Sequence, residues 1–351
     1  MRILFVGMPD SIHTARWISQ IVDEEWEIYL FPSIKGVLRS EFRNIHLFSP
    51  GLIYRVNRAQ NIHYIRWTGF FLSLDRIIEQ FAKVPFSLFS EWALKTVIAF
   101  LRPDIIQSLE IQHAGYQTLK VQKQFRGKFP LWIVTNWGSD IFLFGRLPEH
   151  TERIKSVLAS CDYYSCECQR DIELARKYGY SGKVLSVFPN AGGYDLKAIV
   201  HLREDGPVSN RRVILLKGYQ HWAGRALVGI RALAMCADIL KGYRVVVFSA
   251  ENDVKISARL FEHDTGIPVE FISNCSHEEM LRWYGRSRIY IGLSISDAIS
   301  TSMLEALVMG AFPIQSCTSC ANEWIDHGSS GFIVPAEDPD FVAKAIREAV
   351  L

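Results

Sequence analysis

The stretch "SISDAISTSMLEALVMGAFPIQS" (residues 294–316) separates two carboxylates, Asp297 and Glu305, by the seven residues AISTSML. An apolar run follows Glu305 and stops at Gly310, and "RIYIGLS" (288–294) precedes the pair. The pattern predicts a buried strand, a polar loop carrying Asp297, and an amphipathic helix over 301–309. Ser300, Thr301 and Ser302 offer capping hydroxyls, with Glu305 close to capping-box distance from Thr301 or Ser302. The start of such a helix presents free amides and the positive end of its dipole, which suit a phosphate. Glu305, one turn in, can accept hydrogen bonds from a ribose, and Asp297 can reach a further group. An ordinary capped helix beside a solvated Asp297 satisfies the same spacing.

Outward from this point, strand and helix patterns alternate. "RVILLKG" (212–218), "YRVVVFSA" (243–250), "VEFIS" (269–273), "RIYIGLS" and "AFPIQS" (311–316) read as strands, with helices at 224–240, 253–265 and 277–286 between them. The first half shows the same alternation. "RILFVG" (2–7), "EIYLF" (27–31), "NIHLF" (44–48), "DIIQSL" (104–109), "LWIVTNW" (131–137), "YYSCE" (163–167) and "KVLSVFP" (183–189) are strand candidates, with helices including 114–125 and 150–160. Strict alternation argues an α/β fold with parallel sheets covered on both faces. Two such blocks predict two Rossmann-like doubly wound domains, at 1–199 and 213–351, joined by a polar linker at 200–212. Ligands on such sheets bind beyond the carboxyl ends of the strands, and the cleft between two domains is the expected site. Residues 62–101 break the pattern with a density of aromatics; they read either as core packing or as a hydrophobic helix for membrane contact.

Composition narrows the class. The 351 residues carry a net charge of +2, so no global field argues for nucleic acid as a partner. Residues 1–200 hold 24 Lys+Arg against 19 Asp+Glu, a mild excess compatible with an anionic substrate, with anionic lipid or with chance. Seven cysteines do not suggest a disulfide framework. Although "CDYYSCEC" and "CTSC" (317–320) invite a metal reading, no Cys/His pair stands at zinc-finger spacing, and no metal is expected. The start lacks a signal-peptide core, and no run of about 18 uncharged apolar residues is present. A cytoplasmic location is expected.

The acid pair and the residues after it resemble the donor-binding signature of retaining glycosyltransferases of family 4. That signature is Glu, seven residues, Glu, then A-x-x-x-G-x-P; here Asp297 replaces the first Glu, and Glu305, Ala306, Gly310 and Pro313 match. "CANEWIDHGSSGFIVPAEDPDFVAKAI" (320–346) resembles the family's closing segment. The resemblance covers roughly 211–350; in the first half it rests mainly on "GMPDSIHTARW" and "WGSD". It implies the GT-B fold, with two Rossmann-like domains facing across a cleft. It also implies that Glu305 binds the ribose, that amides around Ser302, Met303 and Leu304 bind phosphate, and that Asp297 contacts the donor sugar.

In "LLKGYQHWAGRAL" (215–227), Lys217 and Gly218 fall at a strand end, and Gly224 and Arg225 at a helix start. Glycines allow close backbone approach, and cations there can neutralise a departing diphosphate without a metal. The family's usual Gly-Arg and Lys-Gly appear with their cations exchanged and slightly displaced. In the first half, His13 follows the first strand, and Gly138, Ser139 and Asp140 follow "LWIVT". Trp137 stands where the family often has a His that contacts the sugar. An aromatic face stacks on sugar rings, and His113 is a candidate to replace the missing imidazole; a buried structural His is the alternative. Asp140 is a candidate to orient the acceptor hydroxyl or take its proton; a solvated loop Asp is the alternative.

Taken together, the resemblance implies transfer of a sugar from a nucleotide-diphosphate-sugar to a hydroxyl of a glycan or lipid-linked acceptor, with retention, with no cofactor, in surface polysaccharide or lipopolysaccharide synthesis, and with the membrane's inner face as a place of work. A catalytically weak nucleotide-sugar-binding protein and a nucleotide-sugar epimerase of the same fold are alternatives. A nicotinamide-dependent oxidoreductase would need "GxGxxG" after a first strand, and neither half has it.

Overall fold

The computed structural model describes residues 1–49, 61–66, 86–190, 192–273 and 275–351, which form two compact units, 1–192 and 193–351. In the first unit β1 (Arg2–Gly7), β2 (Glu27–Pro32), β3 (Ile45–Ser49), β4 (Ile62–Arg66), β5 (Ile105–Leu109), β6 (Leu131–Thr135), β7 (Tyr163–Ser165) and β8 (Lys183–Val184) make a single sheet. Its order is β4-β3-β2-β1-β5-β6-β7-β8, and the paired strands run parallel. Successive side chains of a strand point to opposite faces. Accordingly Leu4 and Val6 join one core with Val97, Ile98 and Trp132, while Ile3 and Phe5 join another with Ala15 and Ile18. Both faces of the sheet are covered, which is why these strands read as unbroken apolar runs.

The second unit holds β9 (Val213–Lys217), β10 (Arg244–Phe248), β11 (Val269–Ile272), β12 (Ser287–Gly292), β13 (Phe312–Ser316) and β14 (Phe332–Val334), in the order β11-β10-β9-β12-β13-β14. All are parallel. This is the doubly wound Rossmann order, in which the chain reverses direction across the sheet between its first and fourth strands. Ile214 and Leu216 of β9 pack under the helices Ala226–Met235, Asn252–Thr265 and Pro339–Val350. The opposite face carries the helices His277–Arg286 and Thr301–Met309.

In the polar stretch 200–212, Arg203 donates to the Val308 carbonyl, and buried Arg211 donates to those of Ser287 (3.3 Å) and Met309 (3.4 Å). These guanidinium bonds tie the segment to the second unit, whose first residue is Gly193. Residues 62–66, read as part of an aromatic irregularity, form an edge strand in register with β3. Of the remainder, 67–85 lie outside the described residues. Phe86–Leu101 is a helix that buries Ala93, Leu94, Val97 and Ile98 and leaves Trp92 and Phe100 exposed. Among the described residues no helix is long and apolar enough to cross a membrane.

Leu216 is fully buried at the centre of the second sheet. Leu216→Ala should cost about 3 kcal/mol from lost transfer energy and the cavity left behind. Urea unfolding monitored in the second unit checks this, and an unshifted midpoint would count against the packing described.

Candidate functional site

In the second unit the reversal of strand order places the loops after β9 and β12 side by side. The backbone stitches them together: Arg225 N donates to Leu293 O (3.0 Å) and Ile295 N to Ala223 O (2.9 Å), about a bridge between Gly224 and Ser294. Two glycines make this possible. A Cβ on Gly224 would lie 2.2 Å from the Tyr219 carbonyl oxygen, and one on Gly218 would lie 2.6 Å from Ala250 Cα. Only a residue without a side chain lets the backbone approach so closely. Gly218 and Gly224 therefore act by shaping the loop that carries Lys217 and Arg225.

The helix Thr301–Met309 starts at this junction, capped by Ser300. The expected capping box is absent. Ser300 makes no side-chain cap bond, and Glu305 turns instead toward the helix His277–Arg286, where its Oε1 lies 2.7 Å from His277 Nε2. Glu305 is 5% exposed. The free amides sit one to two residues earlier than anticipated. Met303 N and Leu304 N already donate to the Ser300 carbonyl (3.0 and 3.1 Å), which leaves Thr301 N and Ser302 N, among the described residues, without a backbone acceptor. Asp297 is half-buried on the loop before the helix, and its Oδ1 accepts from Ala298 N (3.0 Å).

The two cations differ. Lys217 ends β9 with its Nζ 4.6 Å from the centre of the Tyr219 ring. Burial by itself would lower its ammonium pKa, but Tyr290, Asp297, Tyr219 and Glu305 together raise it above the ordinary value. Its charge is therefore secure at neutral pH. Arg225, by contrast, is committed locally: its Nε pairs with Glu337 (2.8 Å) and its Nη1 donates to the Gly224 carbonyl (2.8 Å). This modifies the expected clamp, in which both cations serve a ligand. His221, between them on the loop, has its pKa lowered by burial and by the charges of Lys217 and Arg225, against Glu251. Its ring touches those of Tyr219 (5.0 Å) and exposed Trp222 (5.4 Å).

The first unit places its candidates at the ends of β1, β5 and β6. His13, in the first turn of Ile12–Ser19, meets Trp137 edge-on at 5.8 Å, so these two come together. Gly138 and Ser139 open the single-turn helix Ser139–Phe142. Asp140 is not a solvated loop residue. It is 6% exposed, and its Oδ2 accepts from the amides of Ile111 and Trp137, both at 2.9 Å. Burial and the neighbouring Glu110 push its carboxyl well above the usual range, while the two amides pull it back. Asp140 thus fastens the loop after β6 to the loop after β5. His113 is exposed, not buried. Its Nδ1 lies 3.3 Å from Glu110 Oε2, and that hydrogen bond raises its pKa despite partial burial.

Glu110 itself is a residue that pattern reading missed. It is buried, adopts φ +83°, and its carboxylate accepts from His113 N at 2.9 Å. A positive φ at a non-glycine residue is strained and is held only where surrounding contacts require it. His277 opens the helix His277–Arg286, and its bond to Glu305, 28 residues away, leaves no trace in local sequence.

With this geometry in view, two family models match the chain. "Glycosyl transferase 4-like" matches residues 2–163, and "Glycosyl transferases group 1" matches residues 229–351. The chain is a glycosyltransferase of the GT-B fold. No curated protein sequence matches it. Among solved structures, it is similar to the lipopolysaccharide outer core galactosyltransferase WaaB in its apo form (14% identity, TM-score 0.65, covering 100% of this chain and 90% of that one). It is also similar to HepE of Anabaena in complex with UDP-glucose (15%, 0.64, 100% and 90%). A third similar structure is a trehalose-6-phosphate synthase, studied for glycosyl transfer with retention (13%, 0.66, 100% and 91%).

Asp140→Ala leaves two buried amides unpaired, which costs about 2 to 4 kcal/mol. Denaturant unfolding of the first unit should register that loss, whereas unchanged stability would contradict the fastening role.

Proposed function

We propose that the chain transfers a sugar from a nucleotide-diphosphate-sugar to a hydroxyl of a glycan or lipid-linked acceptor, with retention at the anomeric carbon. The observation that carries this reading is the meeting of three features at the strand-order reversal of the second unit. Lys217 ends β9, the free amides of Thr301 and Ser302 open the helix after β12, and buried Glu305 follows one turn on. Each suits one part of the donor. The ammonium and the helix start receive the diphosphate, and Glu305, oriented by His277, accepts from the ribose hydroxyls. Asp297 faces the sugar.

Charge builds on the departing diphosphate as the glycosidic bond breaks and the sugar becomes oxocarbenium-like. A fixed ammonium and two fixed amides stabilise that charge without having to reorganise during reaction. With this charge supplied by the chain, transfer proceeds without a metal ion. HepE's complex with UDP-glucose supports a nucleotide-sugar donor, and the trehalose-6-phosphate synthase supports retention. WaaB's activity on the lipopolysaccharide outer core supports a glycan acceptor of that type, and the inner face of the membrane is then the place of transfer. In this reading His13, Trp137 and His113 of the first unit meet the acceptor or the sugar.

A thermal-shift screen of nucleoside diphosphates and their sugars, followed by transfer to a lipid extract, tests the proposal. A stabilising donor and a product with retained anomeric configuration by NMR are expected. Glu305→Ala should weaken nucleotide binding about tenfold to a hundredfold, the scale of a lost charged hydrogen bond; unchanged affinity and turnover would sink the assignment. Addition of EDTA should leave the transfer rate unchanged, and its loss on chelation would overturn the metal-independent scheme.

A further inference from the structure

β12 carries Tyr290 and, two residues on, Gly292; residues two apart in a strand share one face of the sheet. A Cβ on Gly292 would lie 2.3 Å from Tyr290 Oη and 2.5 Å from Gln315 Oε1. The tyrosine therefore runs along its strand toward the carboxyl end, through space that only glycine leaves open. Tyr290 is in register with Leu215 and Ile291 with Leu216, so the next residue of β9 beyond that pair is Lys217. Lys217 and Leu215 share a face, and that face is the one occupied by Tyr290. The phenol and the ammonium thus converge on one end of two adjacent strands.

Tyr290 is 0% exposed, and among the described residues its Oη has no hydrogen-bond partner. Buried Ser300 Oγ and Tyr284 Oη share this condition, and the Tyr284 ring stands edge-on to that of Tyr290 at 5.8 Å. An unpaired buried hydroxyl costs on the order of 1–3 kcal/mol, and native chains rarely keep one without a use. The electrostatics agree with the register. Burial pushes the Tyr290 phenol upward, while Lys217, Ser300 and Ser302 pull it back.

We propose that Tyr290 is a positioning residue, whose hydroxyl accepts from the Lys217 ammonium when a diphosphate draws the lysine to the carboxyl end of β9. The flexible lysine stem is then held in the orientation in which it meets the diphosphate. This inference rests on the reading of Lys217 as the cation that meets the donor's diphosphate.

The test is a double-mutant cycle on the full chain. UDP, GDP and ADP are titrated calorimetrically, and the tightest becomes the probe for Tyr290→Phe, Lys217→Met and the double variant. Melting temperatures are recorded alongside, since Phe preserves the ring and its packing. Tyr290→Phe should weaken probe binding about tenfold with no fall in melting temperature. The double variant should bind no more weakly than Lys217→Met alone, because Tyr290 acts through Lys217. Additive losses would overturn the proposal, as would a Tyr290→Phe variant that binds like the parent while Lys217→Met does not. If Lys217→Met is itself silent, or none of the three diphosphates binds, the failure belongs to the donor-site reading and takes this inference with it.

Discussion

The second unit depends on one constraint: β9 and β12 are neighbours in the sheet although some 70 residues of chain separate them, because the strand order reverses between them. Their following loops leave on opposite faces, yet the first residues of each stay close enough to exchange backbone hydrogen bonds across Gly224 and Ser294. That junction brings the end of a strand, with Lys217, to the start of a helix, with Thr301 and Ser302. A cation and two unspent amides then occupy one place with no long side-chain reach required.

The polar groups around this junction fall into two kinds. Some are satisfied within the chain: Arg225 by Glu337 and its own loop, and one oxygen of Glu305 by His277. These fix geometry. Others are buried and unsatisfied: Tyr284, Tyr290 and Ser300 hydroxyls and the amide oxygen of Gln315. In a low-dielectric surrounding an unpaired polar group is costly, and a paired one is correspondingly strong. The first unit shows the satisfied kind in its clearest form. Asp140 and Glu110 spend their carboxylates on backbone amides and so define the loops after β5 and β6.

Much of the fold is legible in the sequence because parallel strands covered on both faces are apolar throughout. "RILFVG", "VILLK" and "RVVVF" cannot easily be anything else. β4 escapes this reading because "IHYIR" is an edge strand with polar alternation, and β14 because "FIV" is three residues within a turn-rich stretch. The start of the Thr301 helix is legible from its hydroxyl cluster and the spacing to Glu305. What sequence alone does not carry is pairing over distance. Glu337 lies 112 residues from Arg225, and His277 lies 28 from Glu305. The burial of Asp140 follows from two loops meeting, and nothing in "WGSD" announces that. Tyr290 reads as one more apolar strand residue until the register with β9 and the gap above Gly292 are known.

In the proposed function the second unit holds a nucleotide diphosphate at the carboxyl ends of β9 and β12. A crystal structure of the chain with its tightest-binding nucleotide measures this directly. Phosphate oxygens should lie within hydrogen-bond distance of Thr301 N, Ser302 N and Lys217 Nζ, and ribose hydroxyls on Glu305. A well-ordered nucleotide bound anywhere else, with these four groups untouched, would contradict it.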